Sequence, residues 1–160
     1  MAKTPAAASR APKHDIDALV APAVSELTAK HEAREAALPR CREVIQLSAN
    51  SIRATHRAEF ERAEELLFRA ADILDSISET LRGHADVYHA GFVHDAQKEY
   101  AEASLTLAFV AERPLPGPSD LRIGAAAYLN GLAEAASELR RHLLDSLRHG
   151  DLSRCEAVLA

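Results

Sequence analysis

The stretch "CREVIQLSANSIRATHRAEFERAEELLFRAADILDSISETLRG", residues 41–83, contains no proline, and its only glycine is its last residue. Ile45, Ala49, Ile52, His56, Phe60, Ala63, Leu67, Ala70, Leu74, Ile77 and Leu81 recur along it at intervals of three and four. That interval marks one face of an α-helix. A single helix of this length would span about 65 Å at 1.5 Å per residue, which is long for one compact domain. The spacing therefore predicts two helices, with a break or bend near His56 to Glu59. Gly83 closes the second helix, as glycine commonly does at helix ends.

Working outward, "DIDALVAPAVSELTAKHEAREAAL" reads as a first helix, with Pro22 as a kink or early turn and Pro39 as its punctuation. Beyond Gly83 a helix is expected from about Asp86 to Glu112. "RPLPGPSD", residues 113–120, is a loop because three prolines and a glycine leave the chain no regular alternative. Ser119 or Asp120 then caps a helix running to about His149, closed by Gly150. "DLSRCEAVLA" opens a further helix, with a cap at Asp151 or Ser153. No alternating run rich in valine or isoleucine reads as a strand. The fold class is all-α: an antiparallel bundle of about five to six helices.

Composition agrees with this reading. The chain has 160 residues, of which 48% are apolar, many of them alanine, and only 4% aromatic, with no tryptophan. That length fits one domain, expected over 15–160 behind a disordered N-terminal tail at 1–14. A net charge of −5 argues against a broad nonspecific nucleic-acid coat, though not against a local basic face. Cys41 and Cys155 form no zinc-ligand spacing and read as reduced thiols of a cytoplasmic protein. The N-terminus lacks the apolar core of a signal peptide. No run of about 18 apolar residues is present, so no membrane span is expected.

The chemistry lies in two carboxylate pairs. "DAQKEYAEASLTLAF" carries Glu99 and Glu102, and "YLNGLAEAASELRRH" carries Glu134 and Glu138. At about 100° per residue, Glu99 lies within roughly 40° of Ala103 and 20° of Phe92, inside the apolar stripe, with Glu102 at its edge. A buried carboxylate needs a partner or it neutralises. Glu134 and Glu138 lie opposite the stripe of Leu132, Leu139, Leu143 and Leu147, and read as a solvated face with a Glu138–Arg141 pair. Two like charges four apart become sensible if a cation sits over them. Four carboxylates from two helices suit a hard divalent cation such as Mg²⁺ or Mn²⁺. A di-iron centre would want two Glu-x-x-His motifs, and none of the four glutamates has histidine three residues later. Gly131, mid-helix at a cost of about 1 kcal/mol relative to alanine, suits close helix–helix approach.

"FVHDAQKEYAEA" followed by "AAYLNGLAEAASELRRHLLDSLRHGD" resembles the translin family, which includes translin and translin-associated factor X. The matching positions are Tyr128, Leu129, Gly131, Glu134, Glu138, Leu139, Arg141, Gly150 and Asp151, with "CREVIQLSANSIRATHR" similar to the family's first long helix. The resemblance covers about residues 32–156. It implies a translin-type bundle in a hollow octameric homo-oligomer. It also implies Mg²⁺-dependent (or Mn²⁺-dependent) endoribonuclease activity on single-stranded RNA, with single-stranded DNA as a second ligand. In the catalytic branch, that of translin-associated factor X, acidic residues of these two helices hold the metal. Carried over, they are Glu99, Glu102, Glu134 and Glu138, which would be both metal ligands and catalytic groups. Glu134 departs from the aspartate common there. Family members also continue past the "GD" further than this chain, whose last helix is short or absent. Arg53, Arg57, Lys98 and Arg141 are the candidates to hold a phosphate backbone; His89 and His94 read as solvent-exposed. The alternatives are a non-catalytic RNA- or DNA-binding shell, and a bundle used only for protein interaction.

Overall fold

A computed structural model describes residues 15–148. The tail at 1–14, and the segment after Arg148 with Gly150, Asp151, Ser153 and Cys155, lie outside the described residues. Six helices follow in order: α1 (Ile16–His56), α2 (Phe60–Thr80), α3 (Ala85–Tyr88), α4 (Gly91–Val110), α5 (Pro118–Leu121) and α6 (Ala125–Arg148). No strand occurs among the described residues, and none of their helices is long and apolar enough to cross a membrane.

The expected break falls where the spacing placed it. α1 ends at His56, and Arg57, Ala58 and Glu59 reverse the chain into α2. Ala58 takes a left-handed conformation at φ 57°, and the Ala54 and Thr55 carbonyls accept from the turn's N–H groups. α2 returns antiparallel to α1: Arg40 bonds Ser76, Arg69 meets Glu43, and the Ser51 hydroxyl donates to the Ala63 carbonyl at 3.0 Å.

Pro39 does not end the first helix. α1 is continuous over 41 residues through both Pro22 and Pro39, about 60 Å. Proline removes one N–H and crowds the carbonyl four residues back. Both prolines and both of those residues, Ala18 and Glu35, are exposed, so the freed carbonyls face water. Asp15 caps the start by accepting from the Ala18 N–H at 3.1 Å. Residues 16–29 stand clear of the bundle with Ile16, Leu19, Val20, Val24 and Leu27 exposed.

The buried face of α1 is also rotated from the expected stripe. It runs through Ala37, Cys41, Val44, Ser48, Ser51 and Thr55, while Ile45 and Ile52 are only partly buried. Small hydroxyl residues line this face: Thr55 donates back to the Ser51 carbonyl at 2.9 Å, while Ser51 itself donates across to α2. In α2 the stripe holds: Ala63, Leu67, Ala70, Leu74, Ile77 and Leu81 are buried.

The single helix expected over 86–112 is divided. Ala90 is extended (φ −70°, ψ 150°), separating the one-turn α3 from α4. Val87 is buried there, and the Tyr88 hydroxyl accepts from Gln97 at 3.0 Å. α4 is the central helix, buried on every side from Tyr100 to Ala108. Its small residues let α1, α2 and α6 pack around it.

The proline-rich connection leads back along α2, where Arg113 pairs with Glu64 and Arg122 with Asp75. The last helix starts at Ala125, later than Ser119 or Asp120, because the one-turn α5 intervenes. Asp120 is not its cap but lies inside α5, where it accepts from the N–H of Gly117, the residue that opens α5, at 2.8 Å. Arg122 then turns left-handed at φ 55° while Leu121 and Ile123 pack against the core.

A left-handed residue bearing a Cβ costs about 1–2 kcal/mol, against about 0.4–1 kcal/mol for the added freedom of glycine in the unfolded chain. Ala58→Gly is therefore expected to stabilise the protein by about 0.5–1 kcal/mol. A urea midpoint that falls in this variant would contradict it.

Candidate metal centre

Gly131 brings α6 onto α4. A Cβ at that position would lie 2.6 Å from the Ala101 Cβ, 2.7 Å from the Lys98 carbonyl oxygen and 2.9 Å from the Glu102 nitrogen. No side chain fits there, so the two backbones meet. Ala127 and Ala135, one turn to either side, are buried in the same contact face. The acidic residues that flank Gly131 in sequence and those on the α4 turn beneath it are thereby set against each other.

Glu99, Glu102 and Glu134 each offer one carboxylate oxygen, and these oxygens lie within 4.8 Å of one another. Glu102 is the deepest at 9% exposure, with Glu99 and Glu134 nearer the surface. This reverses the expectation that Glu99 is the buried member and Glu102 the edge. Arithmetic on one stripe assumes that α4 buries one face, whereas α4 is wrapped by three helices.

Burial, followed by the charges of Glu99, Glu134 and Glu138, pushes the Glu102 carboxyl up to about 7. Lys98 answers these charges. Its Nζ donates to both oxygens of Glu134 at 2.8 and 2.9 Å and lies 3.1 Å from Glu99. The Glu134 bonds, reinforced by Glu99, hold the ammonium well above the usual lysine range. Lys98 thus spends its charge on the carboxylates.

Glu138 stands apart from this trio. Its Oε2 is 2.8 Å from the His56 Nε2, and the His56 Nδ1 is 3.4 Å from the Nδ1 of His142. The two rings stack at 5.6 Å with a 31° tilt. Glu134 and Glu138 do not form a solvated outer face. They look toward α4 and α1, and the exposed large apolar residues of α6 are Leu129, Leu144 and Leu147. His56 and His142 join the site only through packing. In the sequence His56 falls in the apolar stripe, and the one signal it carries there is that an imidazole at a core-facing position needs a hydrogen-bonding partner.

The remaining basic candidates fall in two places. Arg53 and Arg57 line a cleft of about 370 Å³ at the end of α1 with Asn50, Ala54, Glu59, Arg62 and Leu66. Arg57 is paired with Glu59 at 2.8 Å and Arg53 bonds Asn50 at 2.7 Å. Arg141 is exposed, 3.7 Å from Glu138, and borders a recess with Ser137, Arg140 and Arg148. His94 lies 3.1 Å from Asn130.

No protein-family model and no curated protein matches the chain. Solved structures do. The crystal structure of AfC3PO superposes with a TM-score of 0.79 at 31% identity, covering 88% of this chain and 73% of that one. The chain belongs to the translin family. The structure of AfC3PO in complex with duplex RNA gives a TM-score of 0.80 at 30% identity, over 88% of this chain and 72% of that one. Apo-NeC3PO shares the fold, with a TM-score of 0.77 at 20% identity over 94% of this translin-family chain and 77% of that one.

Three hard oxygen donors against one ammonium fit a divalent cation, since their mutual repulsion is otherwise incompletely offset. Two outcomes follow. Gly131→Ala gains helix propensity but drives a methyl into backbone, so a net loss of about 1–3 kcal/mol is expected in a urea titration. The Glu102 carboxyl, raised from 4.5 to about 7 by folding, holds a proton in the folded state that the unfolded state has already lost. Its stabilising contribution is complete below about pH 4.5 and disappears as pH rises to about 7. In chelator, wild-type Tm should fall relative to Glu102→Gln across that window; parallel Tm–pH curves for the two proteins would refute the assignment.

Proposed function

We propose that this chain is a metal-dependent endoribonuclease acting on single-stranded RNA within an oligomeric translin-like shell, with Mg²⁺ or Mn²⁺ as cofactor. The observation that carries the reading is the convergence of Glu99, Glu102 and Glu134 where α6 meets α4. A divalent ion, when bound, supplies charge neutralisation at a phosphoryl oxygen and a more acidic water. Glu99, Glu102 and Glu134 hold that ion. Glu138, oriented by His56 at 2.8 Å, is the carboxylate placed to accept the proton of an attacking water. Arg53 and Arg57 in their cleft, and Arg141 beside Glu138, hold the strand's phosphates.

The AfC3PO complex with duplex RNA supports RNA as the ligand class. The preference for a single strand rests on the carboxylates themselves. A flexible strand can set one phosphate at the acidic centre while keeping its neighbours away; a stiff A-form duplex brings many together. The second reading, a non-catalytic RNA-binding shell, draws on the same complex and on the basic cleft.

One gel decides between them. Labelled single-stranded RNA, duplex RNA and single-stranded DNA are incubated with Mg²⁺, with Mn²⁺ or with chelator. Mg²⁺-dependent cutting of single-stranded RNA well above the other two is expected, lost in Glu99→Gln and Glu102→Gln while both variants stay folded. Binding without cutting in either metal would establish the shell reading instead.

A further inference from the structure

Lys98 and a divalent ion compete for the same oxygens. The Lys98 Nζ engages both oxygens of Glu134 and one of Glu99, and these two residues supply two of the three carboxylates of the candidate centre. An ammonium within hydrogen-bond distance of those oxygens and a divalent ion bonded to them would be like charges a few ångströms apart, in a site where burial weakens screening. Both cannot stay.

We propose that Lys98 is a built-in counter-ion that the metal displaces, and that the released ammonium becomes a phosphate ligand for the RNA strand. This rests on the metal reading above and adds a coupling to it. Before the ion binds, Lys98 ties Glu134 of α6 to Glu99 of α4 and has little charge left for nucleic acid. Afterwards its flexible stem carries a free positive charge from the edge of the centre, where its side chain is already 19% exposed. Metal and RNA then favour each other's binding, and linkage makes the two effects equal. The exchange also discriminates against monovalent cations, which gain too little from the carboxylates to evict an ammonium bound three ways.

The test reads binding, not turnover. Mn²⁺ binding is followed by electron paramagnetic resonance, with and without a 2′-O-methyl RNA oligonucleotide that resists cleavage. Lys98→Met, which keeps the stem and removes the charge, should bind Mn²⁺ about tenfold more tightly than wild type, within the range of ordinary coupling energies. It should also lose several-fold of the Mn²⁺-induced gain in RNA affinity. Lys98→Arg should restore the competition. A readout on the unaltered protein accompanies these: reductive methylation of Lys98, followed by mass spectrometry, should be slow in chelator and several-fold faster in Mg²⁺. If wild type binds no Mn²⁺, the metal reading and the exchange fall together. If it binds Mn²⁺ but Lys98→Met binds no more tightly, or Lys98 methylation ignores Mg²⁺, the exchange alone is overturned.

Discussion

The backbone contact at Gly131 is the constraint on which the site depends. With Ala101, the Lys98 carbonyl and the Glu102 nitrogen all within 2.9 Å of a would-be Cβ, the backbones of α6 and α4 touch there. That contact sets Glu134 on α6 against Glu99 and Glu102 on α4, with one oxygen of each within 4.8 Å of the others. A side chain at position 131 would push the two helices apart and loosen that meeting.

That proximity carries an electrostatic cost, which the rest of the site offsets in pieces. Glu102, on the most enclosed helix of the bundle, retains its proton toward neutrality. Glu134 and Glu99 share one ammonium. Glu138 is drawn aside by an imidazole. Two carboxylates thus divide one ammonium, and the negative charge of the centre is only partly offset.

The α1–α2 turn contributes as well. His56 is the last residue of α1, so the break that shortens a 65 Å rod also delivers an imidazole to α6. Arg53 and Arg57, one turn before and one residue after it, line the basic cleft on another side of the same helix end. The reversal of the chain thus serves both the orientation of Glu138 and the assembly of the basic cleft.

The all-α class, the break after His56 and the acidic residues of α4 and α6 were legible in the sequence, because local spacing, glycine and proline act over a few residues; of the loop expected over 113–120, only 113–117 is irregular, and the rest begins α5. Gly131 was legible too, as a costly residue whose only use is close approach. What sequence alone misplaced depends on how many neighbours a helix has. Pro39 passes through α1 because Glu35 faces water. Glu102 and not Glu99 is the buried acid because three helices surround α4. Glu134 and Glu138 face inward because α6 packs through Gly131 and its alanines, leaving Leu129, Leu144 and Leu147 outside. The partners Lys98 and His56 were unreadable for the same reason. His56 and Glu138 are 82 residues apart, and only the packing of α1, α4 and α6 decides that they meet.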